Sequence, residues 1–287
     1  MTSLLLRISF LCLLVFIGGC GDTGQKSDQA MPNPAHPSFV TRQEWESIRS
    51  YIPLDLDMGH QLSGVVPHHL VAADLIADYF QLLSQQQPEV LIIVGPNHEN
   101  QGAPIITGLY DWQTPQGSVR CEEKIVKALI NSDLAVRNEE VLSREHSIGS
   151  LVPFVRHFLP ETRIVPIIFK HGVSLQEVDS LIKGLRDLTD GEAVLLASVD
   201  FSHYLTRSEA EVRDKETLSY MENRDLATLF RLGNDHLDSP ASLASAFHWA
   251  QAGGGGEFIL IHNTNSGILM NSEIMETTSY FVLAFGD

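Results

Sequence analysis

The stretch Val90-Leu91-Ile92-Ile93-Val94-Gly95-Pro96-Asn97-His98 decides the fold. Its apolar run, rich in β-branched side chains, is too short for an ordinary helix and fits a strand covered on both faces. Gly95 and Pro96 stop the run, and a histidine stands directly behind the stop. Upstream, Leu70 to Leu83 carries Leu75, Ile76, Tyr79, Phe80 and Leu83 on one face of an amphipathic helix. Downstream, Arg163 to Phe169 and Ala193 to Val199 read as further buried strands. Ser174 with Glu177, and Thr206 with Glu209, have the spacing of capping boxes that open helices. Ser239 to Ala250 reads as a helix, Gly253 to Gly256 as a turn, and Phe258 to Ile261 and Thr277 to Phe285 as the closing strands. This alternation predicts one α/β domain around a central, mostly parallel or mixed sheet flanked by helices.

The histidines fall where such a sheet places its ligands. Pro67-His68-His69 ends the run Val65-Val66, Asn97-His98 follows the strand at Val94, and Asp200-Phe201-Ser202-His203 follows the strand at Val199. Open α/β sheets bind ligands outside the carboxyl ends of their strands. Three strands thus each deliver an imidazole to the same kind of position. Imidazole is the commonest protein metal ligand, and two histidines with one carboxylate make the facial triad of non-haem iron oxygenases. Glu145-His146-Ser147, ahead of a helix running to Phe158, adds a further base or supporting group. His157 and His248 lie within helices, His60 and His171 in polar loops, and His36 in a polar leader segment. His262 ends a strand and repeats the positional argument more weakly.

The 287 residues are 44% hydrophobic, enough for a sizeable core, and carry a formal charge of -17. That charge excludes a nucleic-acid partner, which needs a basic face, and electrostatic docking on anionic lipid. At the N-terminus, Arg7 precedes the apolar run Ile8 to Ile17, then Gly18, Gly19 and Cys20. This reads as a secretory signal over residues 1–19 whose end looks like a bacterial lipobox, with Cys20 acylated. The alternative is an ordinary cleaved signal with a chance cysteine. Residues 20–38 then form a flexible tether, and residues 39–287 a folded domain held at the bacterial cell envelope by a lipid anchor. Of the three cysteines, only Cys121 falls in that domain, so no internal disulfide is available. It sits at the start of a helix read from Cys121 to Ile130, as a packed thiol.

Five segments in order, GVVPHHLVA, IIVGPNH, REHSIGSLVPF, LLASVDFSHY and ETTSYFVLAF, resemble the Memo family over about residues 60–285. In bacteria and archaea that family includes protein B of the AmmeMemoRadiSam system. The resemblance implies the fold of LigB-like class III extradiol dioxygenases, whose metal is non-haem iron. It places His68 and His98 as metal ligands and Asp200, His203, Glu145 and His146 along the pocket. Two positions depart from the family pattern. Gly149 and Leu151 stand where many relatives carry Glu and His. The stretch His236-Leu237-Asp238-Ser239-Pro240 lacks the cysteine often used as third ligand, so Asp238 or His236 must substitute. Asp238 is otherwise simply the N-cap of the helix that follows. The resemblance implies one transition metal, Fe(II) first, with copper or zinc as alternatives. It also implies His203 as general acid/base with its tautomer held by Asp200. The expected function is an exported lipoprotein with dioxygenase-type activity on an unknown substrate. The alternative is a non-catalytic module that binds metal, peptide or protein. AMMECR1-like and radical SAM proteins are the partners that family association suggests.

Overall fold

The run from Leu91 to Val94 alternates between two cores. Leu91 and Ile93 pack into one apolar cluster, Ile92 and Val94 into the other. A strand sandwiched this way has no polar face, which is why its sequence shows no alternation. The computed structural model describes residues 33–48 and 59–286. In chain order the first strands are β1 (Ala35–His36), β2 (Gln61–Val66), β3 (Val90–Pro96), β4 (Ile105–Thr107), β5 (Asp111–Thr114) and β6 (Gly117–Val119). They continue as β7 (Val136–Arg137), β8 (Arg163–Phe169), β9 (Val194–Ser198), β10 (Phe201–Leu205), β11 (Phe258–Asn265) and β12 (Thr277–Gly286).

The centre of the large sheet is parallel, in the order β2, β9, β3, β8. Beyond β8 comes β4, antiparallel, and then β7. On the other side β12 runs antiparallel to β2, and both β10 and β11 run antiparallel to β12. Ser279 pairs with Phe201 and with Asn265, while Leu283 pairs with Val65 and with Leu260. A strand residue has one neighbour per edge. Hence β2 and β10 lie end to end along one edge of β12, and β11 takes the other. The sheet is thus mixed, as expected for this α/β domain. Helices Ala73–Leu83 and Val152–Phe158 cover one face. Helices Glu123–Asn131, Leu175–Thr189 and Pro240–Ala252 cover the other.

Both capping boxes form, at Ser174 with Glu177 and at Thr206 with Glu209. Elsewhere the structure departs from the sequence reading. The expected helix from Leu70 opens as a 3-10 turn over Leu70–Ala72 and becomes α-helical only at Ala73. Cys121 is not helical: it bridges to Ile164, and Glu122 caps a helix that begins at Glu123. Its buried thiol lies 3.4 Å from the Gly108 carbonyl, and burial raises its pKa, which leaves it unreactive.

The expected tether also needs correcting at its end. Residues from Asn33 belong to the compact unit. Ala35 and His36 pair with Asp111 and Trp112 of β5. His36 is buried, its ring 4.5 Å from that of Trp112 and its Nε2 3.1 Å from Glu139 Oε2. Phe39 packs where a side chain on Gly149 would stand. The polar, proline-bearing composition of this segment hides one anchor, His36. The signal peptide, the lipobox, Cys20 and the rest of the tether lie outside the described residues. Among the described residues, no helix is long and apolar enough to cross a membrane.

Helix Arg207–Glu222 fixes β10 through a buried carboxyl, since Ser202 Oγ donates to Asp214 Oδ1 at 2.7 Å. Burial pushes the Asp214 pKa up from 3.8 to about 6. Between those values the folded chain keeps a proton that the unfolded chain releases. Stability is therefore lost as pH rises through that window, by about 3 kcal/mol. Asp214→Asn keeps an acceptor for Ser202 and removes the loss. Urea unfolding should show the variant gaining up to that amount over wild type between pH 4 and pH 7. An equal difference between the two proteins at both pH values would count against a proton held by Asp214.

Candidate metal centre

Parallel strands end on the same side, so the residues just past Val66, Pro96 and Ser198 share one crevice. His68 follows β2, His98 follows β3 and Asp200 follows β9, each by two residues. The short helix His146–Gly149 closes in from one side. It comes this near because residue 95 is glycine: a Cβ there would stand 2.5 Å from Ser147 Oγ. Ser147 Oγ in turn donates to the Pro96 carbonyl at 3.0 Å. His68, His98 and His146 each bring a donor nitrogen within 4.8 Å of the others, so the trio could hold a metal ion. The His98 and His146 rings stack at 4.0 Å, and both meet His68 edge-on at about 5 Å.

The hydrogen bonds fix which ring nitrogens face the crevice. Ser198 Oγ donates its one hydrogen to the Ser147 carbonyl at 2.7 Å. It can therefore only accept from His68 Nδ1, 2.9 Å away. His68 thus carries its proton on Nδ1 and a lone pair on Nε2. His98 Nδ1 lies 2.7 Å from Glu145 Oε1. Burial of Glu145 is outweighed by hydrogen bonds from the His98 ring and from the backbone N–H groups of Ser147 and His98, which hold its pKa at about 2. An ionised carboxylate can only accept, so in the neutral His98 ring the proton sits on Nδ1 and Nε2 is bare. Orienting partners of this kind are what metal-ligating histidines carry.

Two buried carboxylates face these lone pairs. Nε2 of His68 stands 3.5 Å from Asp200 Oδ2 and 3.4 Å from Asp238 Oδ2, and Nε2 of His98 stands 3.9 Å from the same Asp238 oxygen. Burial, then the nearby His98 and His146, drives the His68 pKa well below its ordinary value. Burial, then Asp200, drives that of Asp238 well above. Lone pair against carboxylate is repulsive unless a proton or a cation stands between them. Asp238 Oδ1 is also buried without a hydrogen-bond partner. Neutral nitrogens, carboxylate oxygens and an orphaned acceptor around one point fit a transition-metal cation.

The structure therefore gathers His68, His98, His146, Glu145, Asp200 and Asp238 in one place. His236 is turned away: its Nε2 lies 3.1 Å from Glu216 and its Nδ1 3.3 Å from Asp235. Asp238 is not the helix cap, because Ser239 accepts from the Ser242 N–H in that role. Asp200 interacts electrostatically with His203, as expected, but its carboxylate also serves a second residue. Asp200 Oδ1 accepts from the His68 N–H at 3.1 Å, while His203 Nδ1 is buried with no partner. His203 itself lies within β10 rather than behind a strand end, and burial lowers its pKa. His262 pairs with Asp78 at 2.8 Å instead of joining the cluster. Sequence reasoning missed Ser198, although a serine closing the apolar run Val194 to Ala197 was a visible signal. A cleft of about 350 Å³ opens beside His98 and Asp238.

The family model described as Memo-like protein matches residues 48–275. A MEMO1 family protein of Caldivirga maquilingensis is 29% identical over 236 residues, 78% of this chain and 83% of the relative. One of Saccharolobus solfataricus is 30% identical over 177 residues, 58% of this chain and 62% of the relative. Among solved structures, the crystal structure of an uncharacterized protein, JW3007 from Escherichia coli K12, has a TM-score of 0.53 at 12% identity. It covers 78% of this chain and 99% of that one, and the likeness shows a shared fold. The chain belongs to the Memo family.

Proposed function

We propose that this protein is a metal-dependent enzyme of the non-haem iron oxygenase type, acting on a small molecule in the cleft beside His98 and Asp238. The observation that carries it is the pair of bare Nε2 atoms, each fixed by its own Nδ1 partner, facing Asp238. When bound, the metal supplies Lewis acidity and redox chemistry, and oxygen-rich donor sets favour Fe(II) over Cu(I). His68 and His98 hold it, and Asp238 or His146 completes the set. Asp238 makes it a two-histidine, one-carboxylate site, whereas His146 makes it a three-histidine site of the kind zinc accepts. The low pKa of His203 keeps its ring neutral, which suits it to take a proton from a substrate and return it. The lipobox-like segment Ile17 to Cys20 supports, as part of the same reading, an exported protein acylated at Cys20.

Elemental analysis should find about one metal per chain in wild type and none in the His68→Ala, His98→Ala double variant, since each lost ligand costs several kcal/mol. Of the two completing residues, the true ligand is the one whose removal lowers metal content, read from Asp238→Asn and His146→Ala separately. Asp238→Asn leaves the Ser239 cap intact, so lost metal cannot be blamed on a frayed helix. Equal metal in wild type and the double variant would remove the basis of the reading.

With substrate identified by oxygen-uptake screening, His203→Ala should cut turnover about a hundredfold or more while sparing metal content. Metal retained with no oxygen uptake on any substrate would favour a binding module. For localisation, wild type should fractionate with membranes, and Cys20→Ser should be released or remain an uncleaved precursor. Wild type recovered in the soluble fraction without detergent would rule out the anchor.

A further inference from the structure

The cleft beside the metal centre has two chemically different ends. At its buried end, Asn97 is 4% exposed, and its Oδ1 has no hydrogen-bond partner although its Nδ2 donates to the Gln101 carbonyl. The lining also includes the apolar side chains of Phe169, Val173, Phe230 and Leu237. The open end carries Lys170 and His171. Their loop is fixed, because the Lys170 N–H donates to the Pro104 carbonyl at 2.8 Å and the His171 N–H to Asn100 Oδ1 at 3.0 Å. Among the described residues no carboxylate pairs with Lys170; its Nζ only donates to the Gly102 carbonyl at 3.3 Å.

In a chain of formal charge -17, an unpaired ammonium on the rim of the cleft is a local exception to a repulsive field. The orphaned Asn97 Oδ1 calls for a hydrogen-bond donor, because leaving it desolvated and unpaired is costly. The cleft's volume of about 350 Å³ suits a small organic molecule. We propose that Lys170 is the anion-binding residue of a substrate subsite. Its ligand is a small organic anion with an apolar body and a hydroxyl or N–H donor at the end away from its charge. The anion lies against Lys170, the body against Phe169 and Phe230, and the donor reaches Asn97 Oδ1. This deepens the reading of the cleft as a substrate site and rests on it.

The test uses 3-(4-hydroxyphenyl)propionate and its primary amide as probes, titrated calorimetrically into the full chain with and without metal. Wild type should bind the acid about tenfold more tightly than the amide, the worth of one charge-assisted contact. Lys170→Gln, at a partly exposed position, should bring the acid down to the affinity of the amide and leave the amide unchanged. Removing the phenol hydroxyl, with 3-phenylpropionate, should weaken binding in wild type and in Lys170→Gln alike. Failure of the acid to bind, equal affinity for acid and amide in wild type, or an undiminished preference in Lys170→Gln overturns the proposal. The subsite uses none of the three clustered histidines, so the metal reading fails or stands on metal content alone. Discrimination that persists in His68→Ala with no metal bound would separate the two.

Discussion

One tripeptide, Glu145-His146-Ser147, sets the protonation of both metal-facing imidazoles. Glu145 accepts the His98 Nδ1 proton directly. The Ser147 carbonyl takes the only hydrogen of Ser198, which forces Ser198 to accept from His68. His146 then adds its own ring to the cluster. Were the Ser147 carbonyl turned away, Ser198 could donate to His68 Nδ1, and the ring proton would move to Nε2, the nitrogen that faces Asp200 and Asp238. The tautomer of His68 is therefore decided by a backbone group on a different element, two hydrogen bonds away. That dependence explains why residue 95 is a glycine: any side chain there would push Ser147 off the strand.

The location follows from the sheet. With helices on both faces, the parallel strands are packed mostly against apolar side chains, and the carboxyl ends of β2, β3 and β9 converge. Burying two aspartates and a neutral histidine there is unfavourable by itself. The cost is met by the two apolar clusters flanking the sheet, and it leaves the site poised for a cation that relieves the repulsion. Asp238 reaches the crevice because Ser239 has taken over the capping of the following helix. A residue that had to cap would have its oxygen committed to a backbone N–H.

The fold was legible because its strongest strands are short, β-branched and stopped by glycine, proline or aspartate. His68 and His98 were legible for the same reason, since a strand end followed by histidine is a one-dimensional signal. The departures are those where a residue's role depends on something distant in sequence. His236 and Asp238 are equivalent on spacing, and only packing shows one ring against Glu216 and the other side chain against His68. Asp200 was assigned to its near neighbour His203, with which it does interact, yet it also holds the His68 backbone, 132 positions away. The segment around His36 has a linker's composition, and nothing local announces that Trp112 receives it.

His203 shows how topology can supply a residue that no strand end provides. Because β2 and β10 share one edge of β12, the chain leaving β2 at Pro67-His68 and the chain in β10 meet along the same line. The register slips on both sides of His203, against Thr278, so β10 is bulged where it carries that ring. A bulge re-aims a side chain without breaking the strand. Tyr204 beside it takes a φ of 61°, a left-handed conformation that a bulky residue adopts only under constraint. The Ser202 to Asp214 hydrogen bond pins the strand from below just before the distortion. The strain is therefore confined to His203 and Tyr204. It stands beside a buried imidazole nitrogen that has no hydrogen-bond partner.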